Sequence, residues 1–99
     1  MLNIEKTEEG NKIVFALEGK LDTLTSPDLD AQVQDSLGDV KELIFDFTKL
    51  KYISSAGLRV ILRTQQDMPE GGEMKIVGVD PIIMDIFDAV GFSEILNIE

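Results

Sequence analysis

The stretch Phe45-Asp46-Phe47-Thr48-Lys49-Leu50-Lys51-Tyr52-Ile53-Ser54-Ser55-Ala56-Gly57-Leu58-Arg59 decides how the chain folds. It grows out of an apolar run, Leu43 to Phe47, interrupted only by Asp46, which predicts a short buried strand. Thr48 to Ile53 reads as a loop. Ser-Ser-Ala-Gly then opens a helix near Ser54 or Ser55, with Leu58, Ile61 and Leu62 turned inward. That helix must end before Pro69, because proline disfavours helical geometry at the residue before it.

Upstream, Leu2 to Thr7 alternates roughly and predicts an edge strand, and Lys12 to Glu18 predicts a stronger one rich in Ile, Val and Phe. Glu8-Glu9-Gly10-Asn11 between them reads as a turn, so the pair forms a hairpin. Leu21 to Thr25 reads as a loop, followed by Ser26 as N-cap with Pro27 at the first helical position. Leu29, Val33 and Leu37 recur every four residues, on one face of the helix, and Gly38 is its expected stop.

Downstream, Gly71-Gly72 marks a turn and Met74 to Val79 a strand. Asp80-Pro81 repeats the cap-then-proline start, with Ile82, Ile83, Ile86, Phe87 and Val90 as the apolar stripe and Gly91 as the stop. Ile95 to Ile98 adds a short final strand. Strands alternating with helices imply crossovers and parallel pairing. The expected fold is one α/β domain over residues 1–99, with a mixed, mostly parallel sheet of four or five strands, about three helices and an opening hairpin.

Composition removes several function classes. The chain of 99 residues has no cysteine and no histidine, which excludes disulfides, thiolate or imidazole metal sites and the usual base of hydrolase triads. No phosphate-binding loop, dinucleotide fingerprint or spaced calcium loop is present. A net charge of −10 disfavours nucleic acid and anionic membrane surfaces, and favours a partner with a basic face. No run reaches the ~20 apolar residues of a membrane span. The N-terminus lacks a signal-peptide pattern, so a cytoplasmic location is expected.

The serines at the helix start have two readings. One of them caps the helix, worth about 1 kcal/mol. Or a hydroxyl there accepts a phosphate, which adds about −1.5 to −2 charges to an exposed surface that the fold itself tolerates. Arg59 and Arg63 follow Ser55 at i+4 and i+8. Either Arg59 meets a partner or partly neutralises that phosphate, or both arginines are solvated charges. Lys49 and Lys51 are loop charges or anion contacts, and a Ser55–Lys51 nucleophilic pair has no oxyanion motif behind it.

Tyr52-Ile53-Ser54-Ser55-Ala56-Gly57-Leu58 resembles the signature of the STAS domain, found in anti-sigma-factor antagonists and in sulphate-transporter tails. Glu18-Gly19-Lys20-Leu21-Asp22 resembles the family's Gly-x-Leu-Asp segment, and the element order matches along essentially the whole chain. The resemblance implies that Ser55 is the phosphorylated serine and that Asp22 lies near it and supports its function. It also implies a partner-binding surface of Asp22, Ser54, Ser55, Ala56, Gly57 and Arg59. The family often has Asp before the acceptor; Ser54 stands there instead and is a second candidate acceptor.

The implied cycle is partner switching. The unphosphorylated antagonist binds an anti-sigma factor that is also a serine kinase, and a sigma factor is released. The kinase phosphorylates the antagonist with ATP and Mg²⁺, and a metal-dependent serine phosphatase resets it. ATP and metal belong to the partners, so this chain is expected to be no enzyme and to need no cofactor. The alternative is a STAS-type scaffold subunit of a stress-sensing or lipid-transport complex, without sigma-factor control.

Overall fold

The computed structural model describes residues 1–99. Strands β1 (Leu2–Glu9) and β2 (Lys12–Leu21) form an antiparallel hairpin with Glu9 opposite Lys12. Gly10 turns the corner at φ 60°, as the first residue of a type II′ turn requires. Helix α1 (Ser26–Ser36), strand β3 (Glu42–Ile53), helix α2 (Ser55–Asp67), strand β4 (Glu73–Val77) and helix α3 (Pro81–Ala89) follow. A 3₁₀ turn (Phe92–Glu94) and strand β5 (Asn97–Ile98) complete the chain.

The five strands lie in sequence order in one sheet, antiparallel at the hairpin and parallel thereafter. This is the mixed, mostly parallel sheet expected from the alternation of elements. Each crossover steps to the next strand in the same direction. Right-handed crossovers of that kind put all three helices on one face.

Burial follows. Ile13, Phe15 and Leu17, with Leu43, Phe45, Phe47, Met74 and Ile76, are buried, while Val14, Ala16, Ile44, Asp46, Lys75 and Val77 between them are half-buried. All five phenylalanines join in one chain through the core, Phe15–Phe45–Phe47–Phe87–Phe92, with ring centroids 6.0 to 6.2 Å apart. Such pairs contribute about 0.5–1.5 kcal/mol each beyond the area they bury.

Four local expectations need correction. Thr48 to Ile53 is not a loop: β3 runs on to Ile53. Its pairing with β2 shifts register between Ala16 and Glu18 and again between Gly19 and Lys20. These bulges change the inward spacing from two to three, so Phe47, Leu50 and Ile53 are all buried. A period of three resembles no strand, which is why it looked irregular.

Ser26 is not the cap of α1; Thr25 is, and Ser26 is buried with its hydroxyl donating to Asp22 O. The inward face of α2 is Gly57, Val60, Ile61 and Thr64, while Leu62 is half-buried. Thr64 enters the core because its hydroxyl donates to Val60 O at 2.7 Å. In α3, Ile83 and Phe87 are buried, but Ile82 is exposed on the first turn and Val90 lies past the last one. The Asp80-Pro81 start holds, with Asp80 Oδ1 accepting from Ile82 N at 2.8 Å.

Candidate functional site

Parallel strands deliver the ends of β2, β3 and β4 to one edge of the sheet, where α1, α2 and α3 begin. The β2–α1 loop is closed by its own side chains. Asp22 Oδ1 accepts from Leu24 N at 3.0 Å and from Thr25 N at 3.1 Å. Thr25 Oγ1 accepts from Asp22 N at 2.9 Å. Its single proton goes to Lys20 O at 2.9 Å or to Asp22 Oδ1 at 3.1 Å. The Thr25 N–H, opposed by partial desolvation and helped by the Thr25 hydroxyl and the Leu24 N–H, holds the Asp22 carboxyl below its ordinary value. Asp22 is thus a constructional residue of this loop.

The loop is fastened to α2. Ser54 N donates to Leu21 O at 2.9 Å. Gly57 packs directly beneath: a Cβ on it would stand 2.8 Å from Ile53 Cγ1 and Leu21 Cγ and 2.9 Å from Leu21 O. Gly57 is buried, so its bare backbone serves packing within the domain and sets how closely α2 approaches β2.

The two neighbouring serines have different positions. Ser54 is the N-cap, extended at φ −96° and ψ 176°, and its Oγ accepts from Gly57 N at 3.4 Å. Ser55 is the first helical residue, is exposed, and its hydroxyl has no hydrogen-bond partner within the chain. Ala56 is half-buried on the wall of a groove of about 340 Å³ between α1 and α2. Arg59 and Arg63 line the same groove, one and two turns along. Arg63 is held by Asp30 at 2.9 Å and Asp67 at 3.4 Å, whereas Arg59 is exposed and pairs with no carboxylate.

The sequence reading missed two neighbours of the site. Leu24, at the tip of the Asp22 loop, is 89% exposed, and Tyr52, two residues before the cap, is 48% exposed. The signal for Leu24 was one large apolar residue in an otherwise polar loop. Tyr52 was hidden by the bulged register of β3. Lys49 and Lys51 lie exposed on the same end of β3. No three carboxylates converge to hold a metal ion, and no helix is long and apolar enough to cross a membrane.

This edge thus presents one exposed serine hydroxyl without a hydrogen-bond partner, at the braced start of α2. The chain is similar to known proteins in sequence and in fold. The anti-sigma F factor antagonist of Paenibacillus polymyxa is 28% identical over 100 residues, which cover 98% of this chain and 86% of that protein. An anti-sigma factor antagonist from Mycobacterium paratuberculosis superposes with a TM-score of 0.91 at 16% identity, over 99% of this chain and 85% of that one. The Bacillus cell fate determinant SpoIIAA, solved in its phosphorylated form, superposes with a TM-score of 0.76 at 19% identity, over 100% and 91%. The STAS domain family matches residues 3–99. With that match spanning the sheet, the helices and the serine edge alike, the chain belongs to the STAS domain family.

Proposed function

We propose that this chain is an anti-sigma factor antagonist that binds an anti-sigma factor through the edge around Ser55 and is switched off by phosphorylation there. The observation that carries the proposal is the division of labour between the serines. Ser54 caps α2, and Ser55 beside it presents a hydroxyl with no structural duty. The naming of the Paenibacillus relative and the existence of a phosphorylated form of SpoIIAA support the same reading.

In this proposal the chain is a substrate and binding partner rather than a catalyst. A kinase partner supplies ATP and Mg²⁺. Ser55 Oγ attacks the γ-phosphorus, a new O–P bond forms, the bond to the bridging oxygen breaks and ADP leaves; the serine proton passes to a base of the kinase. A metal-dependent phosphatase reverses the outcome by hydrolysis. Because the Ser55 hydroxyl makes no hydrogen bond within the fold, modifying it breaks none of the domain's own bonds.

What changes is the surface. A phosphate at the centre of a contact must be desolvated against a face that offers it no partners. Desolvating that charge at the contact costs about 2–5 kcal/mol, or about 30-fold to a few thousand-fold in affinity.

The test is fragment mass spectrometry of the protein after incubation with ATP, Mg²⁺ and a lysate of its source, beside a Ser55→Ala control. One phosphate on Ser55, absent from the control, is expected. No phosphate on Ser55, while a known substrate in the same lysate is modified, overturns the switch and favours a scaffold role.

A further inference from the structure

The cations of this acidic chain are unevenly engaged. Lys6 pairs with Glu8, Lys75 with Glu42 and Glu99, and Arg63 with Asp30 and Asp67. The other six of the 9 cations, five lysines and Arg59, form no ion pair, and Arg59 is the one arginine among them, one turn before Arg63 on α2. Arg63 engages Asp30 Oδ2 across the groove and Asp67 further along α2, while Asp30 Oδ1 is buried without a hydrogen-bond partner. Arg59 forms no ion pair in the unmodified protein.

Its position relative to Ser55 is specific. Residues four apart on a helix have Cβ atoms about 5–6 Å apart. Helical side chains lean toward the N-terminus, so residue i+4 covers the turn that carries residue i. Arg59 lines the α1–α2 groove together with Ala56, and the i,i+4 spacing keeps Ser55 within reach of its long side chain. Arg63 is a further turn away with its guanidinium occupied, and Lys51 lies in the strand before the helix.

We propose that Arg59 holds a phosphate on Ser55 within the same helix, so that the modified chain carries its phosphate as an internal ion pair. This rests on Ser55 as the acceptor. Guanidinium and phosphate match in a bidentate, charge-assisted geometry that lysine does not reproduce. Arg59 is then a positioning residue: it fixes the phosphate against α2 and tightens the first turn of the helix in the phosphorylated state only.

The test is a double-mutant cycle on thermal stability. Phosphoserine is installed at position 55 during translation, so no kinase is required. Four proteins are compared, with Ser or phosphoserine at position 55 and with Arg59 retained or changed by Arg59→Gln. The phosphate is expected to raise Tm by about 2–5 °C more with Arg59 present than with Arg59→Gln. That difference should shrink in 1 M salt, and Arg59→Lys should restore only part of it.

A phosphate effect on Tm that is the same with Arg59 and with Arg59→Gln overturns the proposal. So does full restoration by Arg59→Lys combined with no salt dependence. Failure of any kinase to modify Ser55 is a separate result: it removes the switch reading and leaves this cycle measurable.

Discussion

Gly57→Ala tests how tightly the serine edge is built. The added Cβ would lie 2.8 Å from both Ile53 Cγ1 and Leu21 Cγ, where ordinary contact begins near 3.4 Å, a deficit of about 0.6 Å on two sides at once. Neither neighbour can easily retreat, because Leu21 is fully buried and Ile53 is 3% exposed. Leu21 O, at 2.9 Å from the new atom, is also the acceptor for Ser54 N. Overpacking of this kind costs about 1–3 kcal/mol. Alanine recovers up to about 1 kcal/mol of helix propensity. The expected net loss is about 1–2 kcal/mol, which lowers the urea midpoint by about 1 M for a domain of this size.

Gly38→Ala is the internal control. Its Cβ would meet nothing within 4 Å and its φ is not positive, so the substitution should be neutral or stabilise by about 0.4–1 kcal/mol. Equilibrium urea unfolding by circular dichroism measures both. A midpoint for Gly57→Ala at or above that of the parent would refute the close approach of α2 to Leu21.

Three further outcomes follow from the same geometry. Ser54→Ala should lose about 0.5–1 kcal/mol with its long, 3.4 Å cap bond, whereas Ser55→Ala should leave the unfolding midpoint unchanged; equal losses would contradict the division between the serines. Asp22→Asn should destabilise the protein at neutral pH. Because the folded Asp22 carboxyl titrates below its ordinary value, its contribution is present above about pH 3.9 and lost as pH falls through the folded value, so the two proteins should converge in stability in acid. A gap that persisted at pH 2 would remove the ionised carboxylate from the explanation. Phe47→Ala, at the centre of the phenylalanine chain between Phe45 and Phe87, should cost about 3–5 kcal/mol and bring a domain of ordinary stability close to unfolding at 37 °C, seen as a large drop in Tm.

Much of this was legible along the chain. Gly10-Asn11 marked the hairpin, Asp80-Pro81 marked the start of α3, and the four-residue spacing of Leu29, Val33 and Leu37 marked the buried side of α1. All of these signals act between residues a few positions apart, so a linear reading captures them. The errors share an opposite cause. Leu50 and Ile53 point inward only because β2 forces bulges into β3. Thr25 rather than Ser26 ends the loop because Asp22, the first residue after β2, closes on it. Ile82 is apolar yet exposed, since helical spacing cannot tell how far a covering layer extends.

The candidate site divides in the same way. The stretch from Tyr52 to Arg59 determined that a serine edge exists, that it opens a helix, and which family it resembles. Ser54 and Ser55 are chemically identical, as are Arg59 and Arg63; only the family resemblance ranks Ser55 and Arg59 first, and the residues' own chemistry does not. The tertiary structure separates each pair, because Leu21 O fastens Ser54 into the cap and Asp30 reaches across from α1 to engage Arg63. Local sequence encodes the conformations of short segments; the free groups are those left over once distant segments have packed and satisfied one another's hydrogen bonds and charges.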